Sequence, residues 1–233
     1  MTEHSLVPPP MRARIKALAV PVALALGRAG LTPNGLTVIG FGGVCVAAGL
    51  AARGAWVAAG VVGLLFAAFD MLDGGLARAT GRVSRFGAFL DSTLDRAGEG
   101  VLYAGIVAGT ATVADRALPT LAALAMVAAF LVSYARARAE GLGFGGDVGV
   151  APRAERVVLM GLGLIATGFA GGMGAPAGNT LGDALALPGG ASLAVHSGQP
   201  WLAGTLALLF ILSSVTVLQR IWHVRAQARQ VEE

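Results

Sequence analysis

The sequence has little charge for its length. Only 13% of its 233 residues are charged, whereas 55% are hydrophobic; soluble domains carry about 25% charged residues. This shortage excludes an ordinary soluble domain and predicts a chain that resides in lipid. Because backbone N–H and C=O groups must bond to each other in lipid, we expect its elements to be α-helices.

Cysteine and lysine are also scarce. Cys45 is the single cysteine, so no disulfide can form within the chain. Lys16 is the one lysine among 17 basic residues, and the remainder are arginines. These arginines form no basic stripe interleaved with aromatic residues, which argues against a nucleic-acid partner. The positive charge instead indicates membrane phosphates or an anionic substrate.

Six apolar stretches approach or exceed the ~20 residues that cross a bilayer core. They predict an all-α integral membrane protein with six transmembrane helices, near 34–52, 55–79, 84–113, 118–140, 153–172 and 200–223. Residues 1–28 are expected to form a flexible N-terminus and an N-terminal interfacial amphipathic helix, although a charged flank is the alternative. Residues 29–233 then form the six-helix domain, with a long loop over 171–200.

The basic residues are distributed unequally between the two sides of this layout. Arg53 and Arg116 fall on one side, and the other fifteen of the 17 fall at the two termini, in the two opposite loops and on the adjoining helix ends. Because basic residues concentrate on the cytoplasmic side of membrane proteins, this bias predicts that both termini face the cytoplasm.

Four aspartates are concentrated in this apolar chain, at Asp70, Asp73, Asp91 and Asp95. Each charge at a helix centre costs roughly 2.5–3.5 kcal/mol. The first two are three residues apart and the last two are four apart, so each pair shares a helix face. A short turn joins the two helices, which predicts antiparallel packing and four converging carboxylates. Carboxylate oxygens are the ligands that Mg²⁺ and Mn²⁺ prefer.

Small residues and one arginine accompany the aspartates. Gly74, Gly75 and Gly87 leave space for a ligand or for a close helix approach. Arg78 is suited to a bidentate phosphate contact. These features favour a phosphate-bearing ligand over two alternatives, which are a structural Asp/Arg network and a cation-coupled membrane transporter.

The spacing Asp-x2-Asp-Gly-x2-Ala-Arg-x8-Gly-x3-Asp-x3-Asp, from Asp70 to Asp95, resembles the signature of the CDP-alcohol phosphotransferases at all eight fixed positions. The resemblance implies a membrane enzyme that transfers a phosphatidyl-type group from a CDP-linked lipid to an alcohol and releases CMP. It also implies six transmembrane helices, an interfacial N-terminal helix and, usually, a homodimer.

The resemblance further implies the roles of individual residues. Asp70, Asp73 and Asp91 would hold two divalent ions, Mg²⁺ or Mn²⁺, and Asp95 would be a further metal ligand and the general base. The CDP-lipid would be bound by Asn34, Thr37, Gly74, Arg78 and Ser84. For Asn34 and Thr37, a role in starting the helix is an equally good interpretation.

Arginines at the aspartate side of later spans indicate the acceptor. Arg136, Arg153 and Arg220 would suit an acceptor that carries its own phosphate, although each is also explained as a positive-inside anchor. The segments SYARARAEG and RAER resemble the actinobacterial branch that makes phosphatidylinositol phosphate. That resemblance implies CDP-diacylglycerol as donor, inositol 1-phosphate as acceptor, and a bacterial plasma membrane with a cytoplasmic active site. Glycerol 3-phosphate remains the alternative acceptor.

Overall fold

The computed structural model describes residues 21–111, 116–173 and 198–232, except for the side chains of Asp70, Met71, Val231 and Glu232. The predicted flexible N-terminus, the first part of the predicted interfacial helix and most of the predicted 171–200 loop lie outside the described residues. Every regular element within the described residues is an α-helix, as the composition predicts.

Eight helices follow one another in the described part of the chain: α1 (21–28), α2 (Pro33–Ala52), α3 (Trp56–Ala67), α4 (Phe69–Ala79), α5 (Arg85–Thr110), α6 (Ala117–Gly141), α7 (Arg153–Phe169) and α8 (Gln199–Glu232). The start of α2 is fixed by Thr32, whose Oγ1 accepts a hydrogen bond from the Gly35 N–H at 3.1 Å. Ser84 starts α5 in the same way, because its Oγ accepts from the Gly87 N–H at 2.9 Å. A side-chain oxygen at this position satisfies an otherwise unpaired N–H of the first helical turn.

Within the described residues, four segments are long and apolar enough to cross a membrane, namely Pro33–Ala52, Trp56–Ala79, Ala117–Gly141 and Gln199–Gln230. The second of these combines α3 and α4, which are separated by Ala68 alone. The prediction of a helical membrane protein is confirmed, whereas six spans and an interfacial N-terminal helix remain predictions. Helix α5 carries its charges within its first fifteen residues, and α7 has only 17 residues, so neither satisfies a simple length-and-hydropathy rule.

Helix α2 is the support for the aspartate segment. It packs against α3, α4 and α5, whereas α4 and α5 pack mainly against α2 and hardly against each other in the described residues. The predicted direct packing of the two aspartate helices is therefore wrong. The α2–α5 contact is close because Gly105 and Gly109 lie on the backbone of Ala48 and Ala51, where a Cβ would have no room.

The larger apolar core joins α2, α3, α5, α6, α7 and α8, and some of its residues line the same cavity as Asp95. Trp56, Tyr103, Leu164 and Leu206 are fully or almost fully buried in it. Helix α7 packs against α3 and α8, and α6 packs against α5 and α8. This arrangement fixes the N-terminal end of α7 beside α5, where the polar side chains of the site lie.

Candidate active site

Thr37 joins α2 to the first aspartate pair. Its Oγ1 donates a hydrogen bond to Asp73 Oδ2 at 2.6 Å, and both side chains are buried. The other carboxylate oxygen, Oδ1, accepts from the Gly74 N–H. Asp73 is therefore oriented by a hydroxyl group of a different helix, which the spacing of the aspartates does not reveal.

Arg78 and Gly74 lie together on α4, one turn apart. A Cβ added at Gly74 would come within 3.3 Å of Arg78 Nη1. The guanidinium group thus covers the glycine while the Arg78 residue remains exposed. Such an arrangement leaves donors of a planar fork available to a phosphate.

Asn34, Ser84 and Gly87 meet where α2 and α5 begin. A Cβ on Gly87 would lie 3.0 Å from Ser84 Oγ and 3.1 Å from Asn34 Oδ1. The structure therefore brings together two of the residues predicted to bind the CDP-lipid, and the glycine gives them room.

Asp91 and Asp95 occupy successive turns of α5, as their spacing predicts. Asp95 Oδ1 lies 2.9 Å from Arg153 Nη2, and Oδ2 lies 3.1 Å from Arg96 Nη1. Among the described side chains, no three His, Cys, Asp or Glu residues lie close enough together to hold a metal ion; the side chain of Asp70 is not among them. The convergence of all four carboxylates thus remains a prediction.

A second ion pair joins α5 to α7 one turn further along. Glu99 receives two hydrogen bonds from Arg156, from Nε to Oε1 and from Nη2 to Oε2, each of 3.0 Å. Arg156 Nη1 also donates to the carbonyl of Ala151 at 3.0 Å. A bidentate pair of this kind fixes the planes of both groups.

These groups surround a cavity between α2, α3, α5 and α7. Its volume is about 750 Å³, part of which is open to solvent. Its charged and hydroxyl-bearing side chains come from Thr37, Asp95, Glu99, Tyr103, Arg153 and Arg156. The remaining wall is mostly apolar, so the cavity presents opposite charges in surroundings that exclude much of the water.

The three arginines predicted to bind the acceptor have different surroundings. Arg153 lines the cavity. Arg136 is exposed and pairs with Glu140 at 2.8 Å and with Asp147 at 3.1 Å. Arg220 is buried and donates to the backbone carbonyls of Val148, at 2.8 Å, and of Val132. In the described contacts, Arg153 alone of the three combines a cavity position with an ion pair to an aspartate.

The α6–α7 loop (142–152) is attached to one face of α8. Gln227 makes two hydrogen bonds of 2.9 Å with the backbone of Gly145, and Thr216 Oγ1 accepts from the Ala151 N–H at 3.0 Å. Arg220 adds its bond to Val148. The loop leads directly into the first turn of α7, so these contacts help to set the position of Arg153.

The site residues assigned from the sequence do not include Glu99 and Arg156, which also line the cavity. Glu99 lies four residues after Asp95, so the two share a face of α5. Arg156 lies three residues after Arg153, so these two share a face of α7. That signal was present in the sequence. The sequence does not show that α5 pairs with α7, because this contact joins residues 57 positions apart.

Residues 30–169 match the family model described as CDP-alcohol phosphatidyltransferase. The phosphatidylinositol phosphate synthase of Mycobacteroides abscessus is 41% identical over 156 residues, which cover 66% of this chain and 70% of that protein. The synthase of the same name from Mycolicibacterium smegmatis is 36% identical over 224 residues, which cover 95% of this chain and 90% of the relative.

Solved structures of the Mycobacterium tuberculosis phosphatidylinositol phosphate synthase are similar to this fold. The crystal structure with CDP-DAG bound has a TM-score of 0.74 and 31% sequence identity, and the match covers 89% of this chain and 94% of that one. A second structure, in complex with manganese and citrate, has a TM-score of 0.72 at 31% identity and covers 88% of each chain.

Proposed function

Because this chain belongs to the CDP-alcohol phosphatidyltransferase family, we propose that it transfers the phosphatidyl group of CDP-diacylglycerol to inositol 1-phosphate. The products are phosphatidylinositol phosphate and CMP. The shared name of its relatives supports the acceptor, and the relative crystallised with CDP-DAG supports the donor. The chain is accordingly a transferase of phospholipid biosynthesis.

One observation carries this proposal: the Asp95–Arg153 pair lies in the cavity that Thr37 also lines. Thr37 is bonded to Asp73, so the Asp73 carboxylate adjoins the same space. This position supports assigning Asp73 and Asp95 to a metal–pyrophosphate group and Arg153 to a phosphorylated acceptor. This combination fits a reaction between two phosphate-bearing substrates better than it fits a choline-like acceptor.

The aspartates suit a divalent metal centre. Asp70, Asp73, Asp91 and Asp95 would hold two ions, Mg²⁺ or Mn²⁺, since these cations prefer carboxylate oxygen. The buried Asp73 fits such a role because its carboxylate is held in a fixed orientation by Thr37 and Gly74. When bound, the ions would neutralise charge on the pyrophosphate and on the departing CMP.

The nucleotide end of the donor would lie against the first turns of α2 and α5 and the end of α4. Asn34, Ser84, Gly74, Arg78 and Thr37 are the residues we assign to it. The exposed Arg78 guanidinium would contact a phosphate, and the glycines would let it approach the backbone.

Asp95 would act as the general base. Its carboxylate would take the proton of an inositol hydroxyl while that oxygen bonds to the phosphorus attached to the lipid. The bond from this phosphorus to the bridging pyrophosphate oxygen would then break, and CMP would leave. Arg153, with Arg136 and Arg220, would bind the phosphate that the acceptor already carries.

We also propose the setting of this chemistry. The chain would cross the bacterial plasma membrane six times, as a homodimer, with both termini and the active site on the cytoplasmic side. The strong positive-inside bias of its arginines supports this orientation.

Purified protein in lipid–detergent micelles tests the reaction by release of CMP from CDP-diacylglycerol. We expect release only when inositol 1-phosphate and Mg²⁺ or Mn²⁺ are both present, and loss of release when EDTA removes the metal. Glycerol 3-phosphate serves as the competing acceptor. CMP release with glycerol 3-phosphate but not with inositol 1-phosphate would make glycerol 3-phosphate the acceptor. No release with any phosphorylated polyol would refute the proposed transferase activity and favour a transporter.

A further inference from the structure

We propose that Glu99 is a positioning residue, which holds the Arg156 guanidinium so that its remaining N–H donors bind the phosphate of the acceptor. The proposal rests on the proposed function, since it concerns the binding of a phosphorylated acceptor. It assigns a task in binding to the buried carboxylate that lies behind Arg156.

The hydrogen bonds of Arg156 account for part of its donor capacity only. A guanidinium has five N–H donors. Nε and Nη2 donate one bond each to Glu99, and Nη1 donates one to Ala151. Three donors are thereby used, so two of the five have no partner among the described contacts, one on each Nη. These two N–H donors are available to a ligand, because the guanidinium group lines the cavity.

Burial explains why the guanidinium needs this support. The side chain of Arg156 is 2% exposed and that of Glu99 is 8% exposed. A buried cation without a counter-ion is strongly disfavoured, and a free arginine side chain adopts many rotamers. Glu99 compensates the charge and fixes the plane of the guanidinium before any substrate arrives.

A purely structural role accounts less well for this pair. A buried ion pair often contributes less to stability than apolar residues of similar size would, because both charges must be desolvated. The α5–α7 contact could have been made of leucines, as the neighbouring wall of Leu102, Met160 and Leu164 is apolar. An ion pair in the cavity wall has a function if a ligand accepts hydrogen bonds from the remaining N–H donors of Arg156.

The decisive variant is Glu99→Asp, which keeps the charge but withdraws the carboxylate by one methylene. We expect the KM for inositol 1-phosphate to rise about tenfold, the scale of one charge-assisted hydrogen bond. The KM for CDP-diacylglycerol and the thermal midpoint in detergent should stay near those of the wild type. Glu99→Gln should raise the acceptor KM at least as much, and Arg156→Lys should raise it too, since an ammonium lacks the fork.

Glu155→Gln is the matched control, because it makes the same chemical change one residue before Arg156 at a carboxylate outside the cavity lining. It should leave both KM values unchanged. An unchanged acceptor KM in both Glu99 variants would overturn the proposal. So would an equal rise in both KM values together with a lower thermal midpoint, or loss of the folded protein in both variants. The proposed function fails separately, if the wild-type protein does not use inositol 1-phosphate.

Discussion

Two ion pairs join the same two helices one turn apart, and their surroundings differ. Asp95 and Arg153 open on the cavity, with side chains 12% and 27% exposed. Glu99 and Arg156 line the same cavity but are more deeply buried, with side chains 8% and 2% exposed. The chemistry of the two pairs is the same, so their environment decides which can exchange partners during a reaction and which forms a fixed frame.

Solvent access makes the first pair replaceable. An accessible ion pair contributes about 0–1 kcal/mol, so a substrate phosphate can take Arg153 from Asp95 at little cost. Breaking the buried pair leaves a charge without compensation in a medium of low polarity. We therefore expect changes in the first pair to alter the reaction and changes in the second to alter stability and the geometry of binding.

The largest expected effect follows from Asp95→Asn. Asparagine keeps the shape and can still contact Arg153, but it cannot accept the acceptor's proton. General-base catalysis is worth about 10²–10⁴-fold, so turnover, measured as CMP release, should fall by that order. Binding of CDP-diacylglycerol and the thermal midpoint should persist. Turnover close to that of the wild type would show that Asp95 is not the base.

The next effect separates the two pairs by stability. Arg156→Met leaves the Glu99 carboxylate buried without its counter-ion, which costs about 3–5 kcal/mol. Arg153→Met removes an accessible partner of Asp95, and the change should be about 1 kcal/mol or less. Thermal unfolding in detergent measures both. Equal shifts of the midpoint would contradict the distinction between a fixed and a replaceable pair.

The sequence predicts helix positions well and helix ends less well. Predicted spans near 34–52 and 118–140 agree with α2 and α6 to within a residue or so. The last span was predicted to end near 223, but α8 continues to Glu232. Hydropathy reports where the apolar segment ends, and the polar residues that follow contain no glycine or proline to stop the helix.

The site was predictable where its chemistry is local. The family was predicted from eight positions between Asp70 and Asp95, and that prediction is confirmed. The contact from Thr37 to Asp73, the Glu99–Arg156 pair and the attachment of the α6–α7 loop to α8 depend on residues 36 to 82 positions apart. Spacing along one helix carries no information on such partners, which are set by how the helices pack.

A smaller effect is expected from Arg153→Gln, which tests the replaceable pair as a binding group. It should raise the KM for inositol 1-phosphate about tenfold and leave the KM for CDP-diacylglycerol nearly unchanged, because a charge-assisted hydrogen bond to the acceptor is lost. Arg138→Gln, which removes the same charge from an exposed position at the end of α6, is the control. Equal increases in the two KM values would refute the assignment to the acceptor.

The smallest expected effect comes from outside both pairs, at Gln227. Its two hydrogen bonds to Gly145 are exposed, so Gln227→Ala should cost about 1 kcal/mol or less. The α6–α7 loop should then exchange its amide hydrogens faster, most of all at Gly145, and the acceptor KM should rise less than threefold. Gln230→Ala, three residues on, is the matched control.

Faster exchange with an unchanged KM would mean that α7 holds Arg153 without the loop. Unchanged exchange would mean that the other contacts with α8, from Thr216, Gln219 and Arg220, fix the loop. The first result would attribute the position of Arg153 to the buried Glu99–Arg156 pair, and would make the contrast between the two pairs sharper.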